Sequence, residues 1–204
     1  MKTIILFLII SILIIMVLIN KELFLQKKVI PINSKISVGI QNIKPIFVPQ
    51  KYNQTDKRWR NDFLGDTNEK LGSAGCLVSS VAMNLSYYGI DINPKKLNNA
   101  LCKHEGYTPN GWLIWNKLQE ITHNKIYINF PELSHKSIDE LLVNKNPVLA
   151  KILIRERIPH WVLIVGKYKG QYLIYDPLNS LNPIPIDKYQ SLIYSIRVIR
   201  SHHG

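Results

Sequence analysis

PVLAKILIRERIPHWVLIVGKYKGQYLIYDP, residues 147–177, distinguishes between the possible architectures. Within it PVLAKILI (147–154), HWVLIVG (160–166) and QYLIYDP (171–177) are short runs rich in Val, Ile and Tyr, broken by charged and Gly-containing turns. Such runs read as strands. No helical periodicity separates them, which disfavours a parallel sheet built from βαβ units. SLIYSIRVIR, residues 191–200, closes the chain in the same manner.

Upstream of Pro147 the pattern is helical. CLVSSVAMNLSYYG, Cys76 to Gly89, places Leu77, Val78, Val81, Ala82, Leu85 and Tyr88 at the spacing of one helical face, with Gly89 as the stop. Asn93-Pro94 is a cap followed by proline at the first helical position, opening a short helix through Leu97 and Leu101. A third helix is expected from Asn110 through Trp112, Trp115 and Leu118. A fourth follows a capping box of Ser137 and Glu140 and ends at Asn146-Pro147. Helices first and antiparallel strands afterwards make an α+β layout.

The ends of the chain carry different information. IILFLIISILIIMVLI, Ile4 to Ile19, is apolar except for Ser11 and is bracketed by Lys2 and Lys21. As a helix it would span about 24 Å, slightly less than a ~30 Å hydrocarbon core. No small-residue cleavage site follows it, so residues 1–20 are expected to be an uncleaved N-terminal anchor. Residues 21–44 read as a tether, part of which could add an edge strand, and 45–204 as the domain. The expected location is a membrane, by a single N-terminal pass with the domain extracytoplasmic, or secretion if the segment is cut.

Composition excludes several classes. Two Cys in 204 residues leave no disulfide framework, four-Cys zinc site or thiolate-held iron–sulfur cluster. The six His show no ligand spacing, and neither a metal nor a cofactor is expected. The net charge of +12 points to an acidic counterpart, such as an anionic membrane or cell-wall surface. The basic residues near Lys57, Arg58 and Arg60 are interleaved with Asp56, Asp62 and Asp66, so no nucleic acid is expected. A mean hydropathy of −0.02 averages the apolar segment with an ordinary polar domain.

Three residues form a chemical constellation. His160 opens one strand of a hairpin and Asp176 closes the other, with a turn at Lys167-Tyr168-Lys169-Gly170 about their midpoint, Tyr168. The two should lie opposite each other to within a residue or two. A carboxylate there can accept from one imidazole nitrogen and aim the other at a nucleophile. Cys76 follows Gly75 at the start of a helix, where orphan N–H groups and the macrodipole favour a thiolate. Cys102, on the apolar side of the second helix, is expected to be a core thiol. Trp59, Trp112 and Trp115 are expected to be core or groove wall.

These residues carry a resemblance. YNQTDKRW (52–59), GSAGCLVSSVAMNLSYYG (72–89), HWVLIVG (160–166) and YDP (175–177) resemble the papain-like cysteine peptidases of the bacteriocin-processing, double-glycine type, peptidase family thirty-nine. The likeness runs from about Pro45 to Arg200. It implies a papain-like fold, a helical first half packed on an antiparallel sheet. It also implies Cys76 as nucleophile, His160 as general base and acid, and Asp176 as the residue orienting the imidazole. Gln54 matches the glutamine whose amide helps form the oxyanion hole, though 22 residues separate it from Cys76, leaving room for an inserted loop at residues 60–71. Trp161 would cover the imidazole. The implied activity is thiol-dependent hydrolysis of peptide bonds through a thioester, with a peptide or protein as partner. Two alternatives stay open: a peptide-binding domain of the same fold without catalysis, and an amidase or transpeptidase acting on cell-wall peptide.

Overall fold

The computed structural model describes residues 28–32 and 40–202, apart from the side chains of residues 180 and 181. The expected anchor at 1–20 and much of the tether lie outside the described residues. Among the described residues no helix is long and apolar enough to cross a membrane.

The helical half begins with a short turn of helix, α1 (Leu71–Ala74), joined through Gly75 to α2 (Cys76–Tyr87). α2 is buried on nearly all sides, and it stops because Gly89 takes φ +75°. The chain reversal then lets the Gly89 N–H donate to the Ser86 carbonyl (3.1 Å) and the Ile90 N–H to that of Leu85 (3.0 Å), a Schellman ending. α3 (Pro94–Lys103) starts as its sequence dictates, with the Asn93 side chain accepting the Lys96 N–H. It buries Leu97 and Leu101, but Cys102, about 100° further round, is exposed rather than in the core.

Two expected helix starts are displaced. From Asn110 the chain forms a loop instead of a helix. Gly111 sits at φ +74°, Tyr107 bridges Leu113, and α4 (Lys117–Ile121) begins only afterwards. Trp112 on this loop is 72% exposed and belongs to no core. α5 (His135–Val143) is capped by Ser134, whose hydroxyl accepts the Ser137 N–H at 3.1 Å. The earlier serine, in extended backbone, takes the capping role and moves the helix start three residues upstream of the Ser137–Glu140 pattern.

The strands are β1 (Ile30–Pro31), β2 (Ile126–Asn129), β3 (Val148–Ile154), β4 (Ile158–Tyr168), β5 (Gln171–Asp176), β6 (Ser180–Pro185), β7 (Leu192–Ile193) and β8 (Ser195–Ser201). Six of them form one antiparallel sheet in the order β2-β8-β3-β4-β5-β6, and β1 pairs with β7 apart from it. The architecture is therefore α+β with an antiparallel sheet. Val148, Leu149 and Ala150, like Val162 through Val165, are consecutively buried, so both faces of the central strands are covered.

The β4–β5 hairpin contains the feature that positions the site. Its turn is the two-residue Lys169-Gly170, both at positive φ, which matches the strand twist. Near the turn Tyr168 pairs with Gln171 and Gly166 with Leu173, but Ile164 pairs with Ile174 and Leu163 with Tyr175. Val165 is thus an extra residue on β4, a β-bulge. Continuing the shifted register sets Asp176 beside Val162, two residues along from His160. Side chains alternate between faces, so Asp176, Val162 and His160 share one face. An unbulged ladder would set Asp176 beside Leu163 and put it on the face opposite His160. Gly166 at the bulge admits a crossing strap, because a Cβ there would lie 2.8 Å from the Cα of Pro45. The strap is held by reciprocal backbone hydrogen bonds between Ile43 and Lys167 (2.8 and 2.9 Å) and by the Ile46 N–H donating to the Val165 carbonyl (2.7 Å).

Candidate active site

The His160–Asp176 pair is built by that register. His160 Nε2 lies 2.9 Å from Asp176 Oδ1, and both side chains are buried. Nε2 being committed to Asp176, Nδ1 is the nitrogen left for the Cys76 sulfur, with which the imidazole also hydrogen-bonds. Burial pushes the imidazole toward its neutral form, but the hydrogen bonds to Asp176 and Cys76 and their charges outweigh it, raising His160 to about 9. Burial likewise opposes the Asp176 charge, yet donors from His160, Tyr189, Leu178 and Asn179 hold this carboxyl well below the usual carboxylate range. The structure therefore brings Cys76, His160 and Asp176 together.

Cys76 is the first residue of α2, and it is placed there by Gly75. A Cβ on residue 75 would sit 2.4 Å from the Leu71 carbonyl oxygen and 2.9 Å from its Cα, so only glycine lets α1 abut α2 so closely. No side chain caps α2, and its first turn holds no acidic residue, so the positive end of the helix is left unneutralised beside the sulfur. The Ser80 hydroxyl, one turn along, donates to the Trp161 carbonyl (3.1 Å) and ties α2 to β4 next to His160. Gly75→Ala is accordingly expected to lower the melting temperature by several degrees and slow Cys76 alkylation, since overpacking costs about 1–3 kcal/mol. An unchanged melt and alkylation rate would show that residue 75 has more room than its contacts imply.

Gln54 is buried, 1% exposed, and joins three segments. Its backbone N–H donates to the Pro177 carbonyl (2.8 Å), just beyond Asp176, and its Nε2 donates to the Gly72 carbonyl (3.0 Å), four residues before Cys76. An amide nitrogen has two protons, so one remains after the bond to Gly72. The long interval to Cys76 is taken up by a loop that doubles back. The Leu71 N–H meets the Asp62 carbonyl and the Gly72 N–H that of Arg60, each at 2.9 Å.

The aromatic cover differs from the expectation. Trp161, next to His160 on the strand, points to the opposite face and packs on Trp115, with ring centroids 5.6 Å apart and Arg197 over Trp115. The ring beside the imidazole is that of Tyr189, 5.7 Å away and tilted by 55°. Tyr189, Asn179 and Lys188 all reach Asp176 and were not legible in the sequence. Their one local signal is Asp176-Pro177-Leu178-Asn179, in which Asp176 Oδ1 accepts the Leu178 N–H (2.9 Å) as an Asx turn. Among the described residues there is no group of three or more His, Cys, Asp or Glu side chains that could hold a metal.

No curated protein matches this chain. A crystal structure of a C39-like peptidase from Bacillus anthracis, itself provisionally assigned, shares the fold. It has a TM-score of 0.52 at 17% identity, over 79% of this chain and all of that one. The family model of the Peptidase C39 family matches residues 69–192, a stretch that holds Cys76, His160 and Asp176 but not Gln54. That match spans more than half of the sequence, and the chain belongs to the Peptidase C39 family.

Proposed function

We propose that this protein is a cysteine peptidase that cleaves peptide bonds through a thioester on Cys76. The observation that carries the reading is the buried imidazole of His160, bonded through Nε2 to Asp176 at 2.9 Å and set against Cys76 at the head of α2. A thiolate paired with an imidazolium is both a ready nucleophile and a ready proton donor. The Cys76 sulfur attacks the carbonyl carbon, and the oxyanion is received by the Cys76 N–H and the spare Nε2 proton of Gln54. His160 gives its proton to the leaving amine as the carbon–nitrogen bond breaks, leaving a thioester and a neutral imidazole. Water then loses a proton to His160 and adds to the thioester carbon, releasing the acid and restoring the ion pair. Asp176 keeps the imidazole in the tautomer that presents Nδ1 to sulfur. A polypeptide is the substrate class, and the net charge of +12 suits a domain working at an anionic membrane or wall surface.

The test uses the full chain with iodoacetamide and a fluorogenic peptide library. With the His160 imidazole beside it to take its proton, Cys76 should alkylate far faster than the exposed Cys102. Cys102→Ser should keep both rapid alkylation and cleavage, and Cys76→Ala should lose both. Cleavage by Cys76→Ala at the parent rate, or labelling confined to Cys102, would overturn the reading.

A further inference from the structure

We infer that Tyr189 is a positioning residue for the reaction, its hydroxyl fixing the Asp176 carboxylate and its ring backing the His160 imidazole. The inference rests on the peptidase reading above and concerns how the His160–Asp176 pair is kept in register. A carboxylate held by one oxygen can turn about its last bond, and Asp176 is prevented from doing so by donors on both. His160 Nε2 and the Leu178 N–H meet Oδ1, each at 2.9 Å. Oδ2 receives the Tyr189 hydroxyl, Asn179 Nδ2 at 2.8 Å and Lys188 Nζ at 3.4 Å.

Tyr189 is central to this set. Asn179 Nδ2 also donates to its hydroxyl oxygen (2.9 Å), orienting that group so that its proton goes to Asp176. Burial and the Asp176 charge both push the Tyr189 phenol above its ordinary range, so it remains a donor at any working pH. The same side chain lies beside the imidazole, so one residue constrains both members of the pair.

Its place is set by the strand that bears Asp176. Tyr189 ends a 3₁₀ turn (Ile186–Tyr189) in which Ile186 is fully buried. Asp187 in that turn accepts from Gln171 Nε2 (2.6 Å), at the start of β5. The turn is thus pinned to β5 at one end, and Tyr189 returns to the other end of the same strand.

The experiment is a double-mutant cycle on the full-length protein, read as cleavage of a fluorogenic peptide and as the rate of Cys76 alkylation by iodoacetamide. Tyr189→Phe keeps the ring and removes the donor. Its kcat should fall about 10-fold with KM unchanged within about two-fold, as expected when a charge-assisted hydrogen bond to an orienting group is lost. Tyr189→Leu should lose more, because the ring goes as well. In an Asp176→Asn background the same Tyr189→Phe change should slow alkylation by less than about two-fold, since a residue that acts through Asp176 has nothing left to position. Asn179→Ala, with the Tyr189 side chain intact, should shift kcat in the same direction by a smaller factor. Equal losses from Tyr189→Phe in both backgrounds, or full activity in Tyr189→Phe, would overturn the inference. If Asp176→Asn is as active as the parent, the triad reading fails and the inference falls with it. If Asp176→Asn is slow and Tyr189→Phe is not, the inference alone fails.

Discussion

Asp176→Asn is expected to lower kcat by about 10²–10³-fold and to pull the alkaline limb of the activity profile down from about pH 9 toward 6.5. The size follows from the roles in the pair. An equivalent aspartate-to-asparagine change in a serine triad costs about 10⁴, chiefly by presenting the wrong imidazole tautomer. A thiol is intrinsically more nucleophilic than a hydroxyl, so less of the rate depends on the orienting carboxylate. The sign of the pH effect follows from His160. Its folded-state value of about 9 lies above the ordinary 6.5. The stabilisation from the protonated ring is therefore complete below 6.5 and is lost as pH rises through about 9. Removing the Asp176 charge removes a principal cause of the elevation, so the ring gives up its proton earlier. Asp176 contributes in the other direction. Its depressed value means that its stabilisation is present above the ordinary 3.8 and is lost only at far lower pH. Peptide cleavage against pH for the parent and Asp176→Asn checks the size and the shift, and coincident alkaline limbs would contradict the shift.

Asp139→Leu is expected to be the most destabilising single change outside the site, lowering the melting temperature by about 10 °C. Lys167 is buried, and its ammonium donates to both Asp139 oxygens, at 3.0 and 2.8 Å. The Tyr172 hydroxyl donates to the same carboxylate at 3.1 Å, and the ammonium lies 5.0 Å from the Tyr172 ring centre. Taking away the carboxylate leaves a cation stranded without water, which costs about 3–5 kcal/mol. Replacing both partners, as Asp139→Leu with Lys167→Met, should recover most of the loss, since an apolar pair needs no compensation. Thermal melts of the single and double variants decide the matter. A single variant melting within about 2 °C of the parent would show that the pair contributes little.

The amino-acid sequence carried more of the site than of its supports. Strand-forming runs after Pro147 and the amphipathic Cys76–Gly89 stretch gave the α+β layout directly, because both depend on local periodicity. The spacing of His160 and Asp176 was also legible, but their sharing of a face was not. An extra residue at Val165 reverses the alternation, and the strap of Ile43–Pro45 that crosses there at Gly166 comes from more than a hundred positions away in sequence. Helix starts depart from the sequence pattern where two nearby residues can each serve as cap, as Ser134 and Ser137 can, or where a glycine at positive φ interrupts an apolar pattern, as at Gly111. Tyr189 reaches its partner through a 3₁₀ turn that no periodicity encodes, and Cys102 stands one step around its helix from the buried face.

The bulge at Val165 also makes the hairpin a counting device. A residue removed from β4 between Ile164 and Gly166 would restore the unbulged ladder and send the carboxylate to the other side, whereas a residue added at the Lys169-Gly170 turn lengthens the loop and leaves the ladder as it is. Parity, free in the turn, therefore counts at the Val165 crossing. Two sequences of similar composition that differ there by one residue are not interchangeable parts.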